Sequence, residues 1–304
     1  MGSISAVTAR KPANQIEMFE GAGAEGKRAI TFKPIQRPLW TQNKARLISR
    51  YLYYFVLVTK HGTYIDGFGG PQSPGNEDMW AAKLVIESRP RWLRTLVLGD
   101  IDASQVTRIR SMVEGQLPRD KKKEPKRDIH VLQGDFNSKV ADALSYVNAK
   151  QAAFCLLDQR TFECDWATVE KVAQYKRTGN KIEIFYFLPV GWFARAVSGL
   201  RNPETHLKKW WGRDDWRKLA SQRTRTLADL TVQRFRQELG YEHAHPWPIY
   251  EKPSGGRVLY YMIHASDHDQ APGLMRRAYS KALDEPEPPE QLDFLAAGSN
   301  KSSS

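Results

Sequence analysis

Four acids, Asp66, Asp100, Asp135 and Asp158, stand at or just beyond short apolar runs that read as β-strands. In an open parallel sheet, ligands bind where the carboxy ends of the strands meet their loops, so acids at these positions point towards one crevice. The first acid is followed by Gly67, Phe68, Gly69 and Gly70. Glycines there remove Cβ atoms where a nucleoside must approach the backbone, and the next helix can present its first amides to a polar ligand. Asp100 lies about thirty residues beyond the loop, where nucleotide-binding sheets place a carboxylate for ribose hydroxyls; Asp102 is a neighbouring competitor. Singly, such acids serve more often as turn or cap residues. The series is what points to a shared site.

The elements that must position these residues follow from periodicity. A helix is expected over Trp40 to Val58, with Thr41 as N-cap and Leu47, Tyr51, Tyr54, Phe55 and Val58 on one face. Strands are expected at Thr63–Asp66, Leu93–Leu98, Ile129–Leu132, Ala153–Leu157 and Ile182–Leu188. Helices at Asp78–Glu87, Ala103–Leu117, Ser138–Ala149 and Trp166–Tyr175 alternate with them. That order gives a mostly parallel sheet covered on both faces. Residues from about 192 to 240 read as a helical insertion dense in Arg, Lys and Trp. Trp247–Tyr250 and Val258–Ala265 then flank Pro253-Ser254-Gly255-Gly256 as an antiparallel edge hairpin, and a helix over Gly273–Leu283 closes the fold. The domain is expected to span residues 31–283, between flexible tails at 1–30 and 284–304. The second tail contains the apolar tract Leu292-Asp293-Phe294-Leu295.

The 304 residues suffice for a sizeable core. Mean hydropathy is −0.57, and the longest apolar runs are interrupted by charge or proline, so no membrane span and no secretory signal is expected and the protein is assigned to the cytoplasm. Two cysteines, Cys155 and Cys164, build neither a disulfide framework nor a four-cysteine zinc site. The net charge of +12 makes nucleic acid the leading partner class. Lys208, Lys209, Arg213 and Arg217, interleaved with Trp210, Trp211 and Trp216, are the candidate contact surface. His243, His245, His264 and His268 lack an accompanying Cys or carboxylate pattern, so no metal site is assigned.

An ordered series of motifs resembles one family. It comprises Trp40 and Lys44, Tyr64-Ile65-Asp66-Gly67-Phe68-Gly69-Gly70-Pro71, Leu156-Leu157-Asp158, Trp166 and Thr168, and Phe187-Leu188-Pro189. It continues through Trp211-Gly212, Asp215-Trp216-Arg217, Tyr260 to Ser266 and Gly273-Leu274. From about residue 40 to 282 the chain is similar to the three-Cys-motif partner proteins (TcmP), Rossmann-like S-adenosylmethionine-dependent methyltransferases. The resemblance implies a seven-stranded sheet of that class and S-adenosylmethionine as cofactor. It places Asp66 to Gly70 around the methionine end, Asp100 at the ribose and Asp135 near the adenine. It also implies a protein partner carrying a three-cysteine motif. The chain departs from the family at Gln72, where the first loop usually ends in glycine, and at Asp158-Gln159-Arg160-Thr161, where Asp-Pro-Phe-Gly or Asp-Gln-Tyr-Gly is usual.

The second departure falls where an acceptor amine would be oriented by a carboxylate and a backbone carbonyl and stacked on an aromatic ring. Asp158 and Gln159 are the catalytic candidates there, with Phe162 or Trp166 as the stacking ring; Arg160 places a cation where a ring is expected. The expected activity is therefore methyl transfer, with nucleic acid as substrate. A methyltransferase fold kept only for binding nucleic acid or a partner, and a metal-dependent nuclease on Asp66, Asp135 and Asp158, are the alternatives.

Overall fold

A computed structural model describes residues 39–40, 43–71, 79–193, 197, 202–252 and 255–283. Both expected tails, the Leu292–Leu295 tract, Thr41 and Gln72 lie outside the described residues. The chain enters through a two-residue strand, β1 (Leu39–Trp40), and helix α1 (Lys44–Thr59). Trp40 is thus a strand residue paired with Tyr250, and the helix expected to begin there starts at Lys44, after Asn43. Buried Leu47, Ile48, Tyr51 and Phe55 form the stripe that holds α1 to the sheet. The helix ends at Lys60 in the left-handed conformation, φ 59°.

Then follow β2 (Thr63–Asp66), α2 (Ala81–Glu87), β3 (Thr95–Asp100), α3 (Ala103–Glu114), β4 (Asp128–Gln133), α4 (Phe136–Ser145), β5 (Ala153–Leu157), α5 (Trp166–Gln174) and β6 (Glu183–Leu188). The insertion consists of α6 (Pro203–Trp211), a 3-10 segment (Asp214–Ser221) and α7 (Thr224–Gln237). Strands β7 (His243–Lys252) and β8 (Gly255–Ser266) and helix α8 (Ala271–Ala282) complete the order.

Among the described residues, eight strands form one sheet in the order β1-β7-β8-β6-β5-β2-β3-β4. Only β8 is reversed, pairing antiparallel with both β6 and β7, while the other pairs are parallel. The mostly parallel sheet is the one expected from the alternation, and the order of β2 to β8 is that of the Rossmann-like class I methyltransferase sheet implied by the resemblance, with the two-residue β1 added at one edge. Successive strand residues face opposite sides. Tyr64, Leu96, Phe154, Leu156, Phe185 and Phe187 pack in one apolar layer with α1, α2, α3 and α8. Ile65, Val97, Cys155, Leu157, Ile184 and Tyr186 pack in the other, beneath α4, α5 and the insertion. Both cysteines are buried free thiols. No helix among the described residues is long and apolar enough to cross a membrane.

Candidate functional site

The central strand β2 is buried along its whole length, and its last residue, Asp66, opens the glycine loop. The loop is closed by hydrogen bonds within the chain. Phe68 N donates to Asp66 Oδ1 (3.1 Å), Gly69 N to Gly99 O (2.7 Å) and Gly70 N to Asp100 Oδ2 (3.1 Å). Trp80 Nε1 donates to Gly69 O at 2.6 Å and so covers the loop from the side of α2. Two of the glycines are required by close approach. A Cβ on Gly67 would lie 2.4 Å from the Phe136 ring, and one on Gly70 would lie 2.5 Å from Asp100 Oδ2 and 2.7 Å from Gln105 Cβ. Gly69 has room for a methyl group. The protein's own packing therefore explains Gly67 and Gly70 before any ligand is considered.

Asp100 is the last residue of β3. Its carboxylate accepts from Gly70 N and, through Oδ1, from Asp102 N at 3.0 Å. Asp102 is the N-cap of α3, its Oδ1 accepting from Ser104 N at 2.7 Å. Beside Asp100, the side-chain oxygen of Gln105 is buried and has no hydrogen-bond partner. Ile101, between the carboxylate and the cap, is 70% exposed, the largest value among the exposed large apolar side chains. Asp100 and Gln105 thus place two hydrogen-bond acceptors at the end of β3, and Ile101 is exposed next to Asp100 in the chain. Asp135 caps α4, its Oδ1 accepting from Asn137 N at 3.1 Å and Asn137 Nδ2 at 3.0 Å; it is exposed and follows Gly134, whose N donates to Asp100 O at 3.0 Å.

Across β2, Asp158 follows the end of β5 and pairs with a residue from the far end of α1. Lys44 Nζ lies 2.7 Å from Asp158 Oδ1, and each side chain is 7% exposed. The ammonium also lies over the rings of Phe187 (4.8 Å) and Tyr260 (5.4 Å), from β6 and β8. Asp66, Lys44, Asp158, Phe68, Gly70 and Trp80 border a cavity of about 10 Å³, room for about one water molecule. Enclosure, and then the charge of Asp158, push the Asp66 carboxyl up to about 7, against the Phe68 amide and the Tyr64 hydroxyl that hydrogen-bond to it. Asp66, Asp100 and Asp158 are thus brought into one neighbourhood.

Several sequence assignments change here. Gln159 is fully buried, its Nε2 donating to Phe187 O and its Oε1 accepting from Cys164 N, both at 3.0 Å, so this side chain braces the loop after β5. Phe162 and Trp166 are core residues: Phe162 packs edge-on against Trp210, and Trp166 against Phe235. The rings beside Asp158 are Phe187 and Tyr260 instead. Arg160 is exposed, and its carbonyl accepts from Tyr260 Oη at 3.3 Å.

In the insertion, Trp210, Trp211 and Trp216 are buried and do not form an exposed stacking surface. Lys208, Arg213 and Arg217 are exposed but paired with Asp214, Glu238 and Glu204; Lys209 is exposed as well. His264 bonds Glu183 at 2.6 Å, His243 bonds Asp269 at 3.2 Å, and burial drives His245 down to about 3. Among the described residues, no three His, Cys, Asp or Glu side chains converge as metal ligands would.

No protein-family model and no curated protein matches the sequence. Among solved structures the chain is similar to the small RNA methyltransferase HEN1, at TM-score 0.43 and 15% identity over 83% of this chain and 28% of that one. It therefore spans little more than a quarter of that protein. It is similar to protein LPL1258 from Legionella pneumophila str. Philadelphia 1, at TM-score 0.45 and 11% identity over 82% and 95% of the two chains. It is also similar to the plantazolicin methyltransferase BamL, solved with a triazolic desmethylPZN analog and SAH, at TM-score 0.41 and 14% identity over 83% and 82%. At these values the fold assignment rests on the strand order above, and no function follows from the likeness.

Proposed function

We propose that the chain binds S-adenosylmethionine across the carboxy ends of β2, β3 and β5 and transfers its methyl group to nucleic acid. The observation that carries the proposal is the buried, partnerless Gln105 oxygen next to Asp100, since a buried acceptor left unmade costs about 1–3 kcal/mol unless a donor meets it. A ribose diol brings two donors. Asp100 and Gln105 would accept from that diol, Ile101 would lie against the base, and Asp66 would take the ammonium of the methionine end. The cofactor supplies a methyl group on a positively charged sulfur. The chain's part is to hold and orient both reactants while excluding water, which the enclosure of Lys44, Asp66 and Asp158 favours. The acid at the end of β5 faces the reacting group, and the exposed bases of the insertion, Lys209 among them, support the nucleic-acid backbone. Membership of the three-Cys-motif partner family, with a protein partner of that kind, is the finer form of this proposal; it rests on the motif series from Trp40 to Leu274.

A second reading, a methyltransferase fold kept for binding alone, is favoured by one observation: the loop amides of Phe68, Gly69 and Gly70 are already taken within the protein. Titration calorimetry of the full chain with S-adenosylmethionine and S-adenosylhomocysteine separates the two. Micromolar binding that weakens at least tenfold in both Asp100→Ala and Gln105→Ala supports the cofactor site. A folded protein that binds neither ligand leaves the binding-only reading.

A further inference from the structure

The acceptor side of the site carries a feature that bears on what is methylated. An exocyclic amine presents N–H donors, and it is held by a carboxylate and a carbonyl beside an aromatic ring. Here the carboxylate at the end of β5 and the rings of Phe187 and Tyr260 already surround an amine of the protein's own. Lys44 Nζ is 2.7 Å from Asp158 Oδ1, 4.8 Å from the Phe187 centroid and 5.4 Å from that of Tyr260. An ammonium brings donors and no acceptor, so a substrate amine, which itself presents donors, meets a like polarity. A hydroxyl has the opposite relation to the pair. Its oxygen accepts from the ammonium, and its proton has a carboxylate to go to. Both side chains are 7% exposed, so this selectivity acts with little screening by water.

We propose that the acceptor atom is a hydroxyl oxygen and that Lys44 and Asp158 together select and activate it. In a nucleic acid the internal hydroxyl is the ribose 2′-OH, which DNA lacks, so the substrate class is RNA. This inference rests on the methyl-transfer reading above. The hydroxyl proton passes to Asp158 as the new O–C bond forms. The S–C bond of the donor breaks with its electron pair left on sulfur, and the proton then leaves Asp158 for water. Lys44 stays an ammonium throughout and holds the oxygen in place. Asp66, on the other wall of the same cavity, lies outside this exchange.

A positive charge at the acceptor position opposes the positive sulfur of S-adenosylmethionine and leaves the neutral sulfur of S-adenosylhomocysteine untouched. Calorimetry on the full chain with these two ligands therefore reads the position of Lys44 without any turnover. Lys44→Arg is expected to keep the wild-type ratio of the two affinities, and Lys44→Met, which removes the ammonium beside Asp158, to shift that ratio at least tenfold towards S-adenosylmethionine. If Lys44→Met weakens both ligands by one common factor, Lys44 holds the carboxylate they share and the proposal is overturned. An unchanged ratio overturns it as well. Failure of the wild type to bind either ligand is a different result, which removes the methyl-transfer reading itself. A second arm uses labelled methyl donor with RNA and DNA oligonucleotides of one sequence. Label confined to RNA and recovered in alkali-resistant dinucleotides is expected, because a 2′-O-methyl group blocks alkaline cleavage. Label in DNA, or in mononucleotides after alkali, overturns the proposal.

Discussion

The carboxy ends of β2, β3 and β5 and the helical insertion are both rich in charge, yet they handle it in opposite ways. At the strand ends, charge is enclosed: Asp66, Asp158 and Lys44 are buried, and the Gln105 oxygen beside them has no partner. In the insertion the charges lie outside in pairs, Lys208 with Asp214, Arg213 with Glu238 and Arg217 with Glu204, while the tryptophans between them lie inside. Exposed pairs contribute little, whereas enclosed groups shift their proton affinities and demand partners. A dense run of Lys, Arg and Trp therefore marks a cap over the sheet here, and the chemistry lies where charged residues are sparser.

Three measurements sharpen this contrast. Trp210 is 1% exposed and packs edge-on against Phe162, their ring centroids 4.8 Å apart. Trp210→Ala is expected to lower stability by about 3–5 kcal/mol in urea denaturation. A loss under about 1 kcal/mol would mean that the insertion is an appendage and not part of the core. Next in size is the pH effect of Asp66, whose carboxyl titrates at about 7 in the fold against 3.8 as its ordinary value. The folded chain keeps a proton that the unfolded chain releases, so this group's contribution to stability is present below about pH 4 and is lost as pH rises to 7. The ligand effect has the opposite sign, because the charged form above pH 7 attracts an ammonium. Affinity for S-adenosylhomocysteine should rise by up to about tenfold per pH unit below 7 and level off above it. A pH profile left unchanged by Asp66→Asn would remove Asp66 from the methionine end. The smallest effect is expected at Arg217, 60% exposed and paired with Glu204. Arg217→Ala should alter stability by less than about 0.5 kcal/mol, and a larger loss on thermal melting would show the surface pairs to be structural after all.

Much of this arrangement was legible because short apolar runs that end in an acid or a glycine are local signals. Thr63–Asp66 and Ala153–Leu157 have the expected limits, and the neighbouring strands shift by a residue or two. Helix α4 begins at Phe136, two residues before Ser138, because Asp135 caps it. What was not legible depends on residues far apart in the chain. Lys44 and Asp158 are 114 positions apart, and Lys44 entered the sequence reading only within a resemblance. Gln105 is an ordinary residue in the first turn of α3 until the Gly70 backbone is laid against it. Ile101 could have been noticed, since a large aliphatic residue between two acids has no core to enter. Phe162, Trp166 and the three insertion tryptophans show the limit of composition, because an aromatic ring next to basic residues suits a core or a contact surface equally well until packing decides.

The reversed strand has a consequence for how the protein is made. Among the described residues β8 is the last strand to leave the ribosome, yet it lies inside the sheet, hydrogen-bonded to β6 on one side and β7 on the other. A nascent chain that stops before residue 255 leaves the apolar strand β6 with an open edge and β7 with only two-residue β1 as a strand partner. Open edges of this kind recruit other chains. The β2–β5 half, with Asp66, Asp100 and Asp158, can pair its strands during synthesis, but Tyr260 and the closing of the sheet wait for the final hairpin. The surroundings of Lys44 and Asp158 are thereby completed only once residues 255–266 have been made.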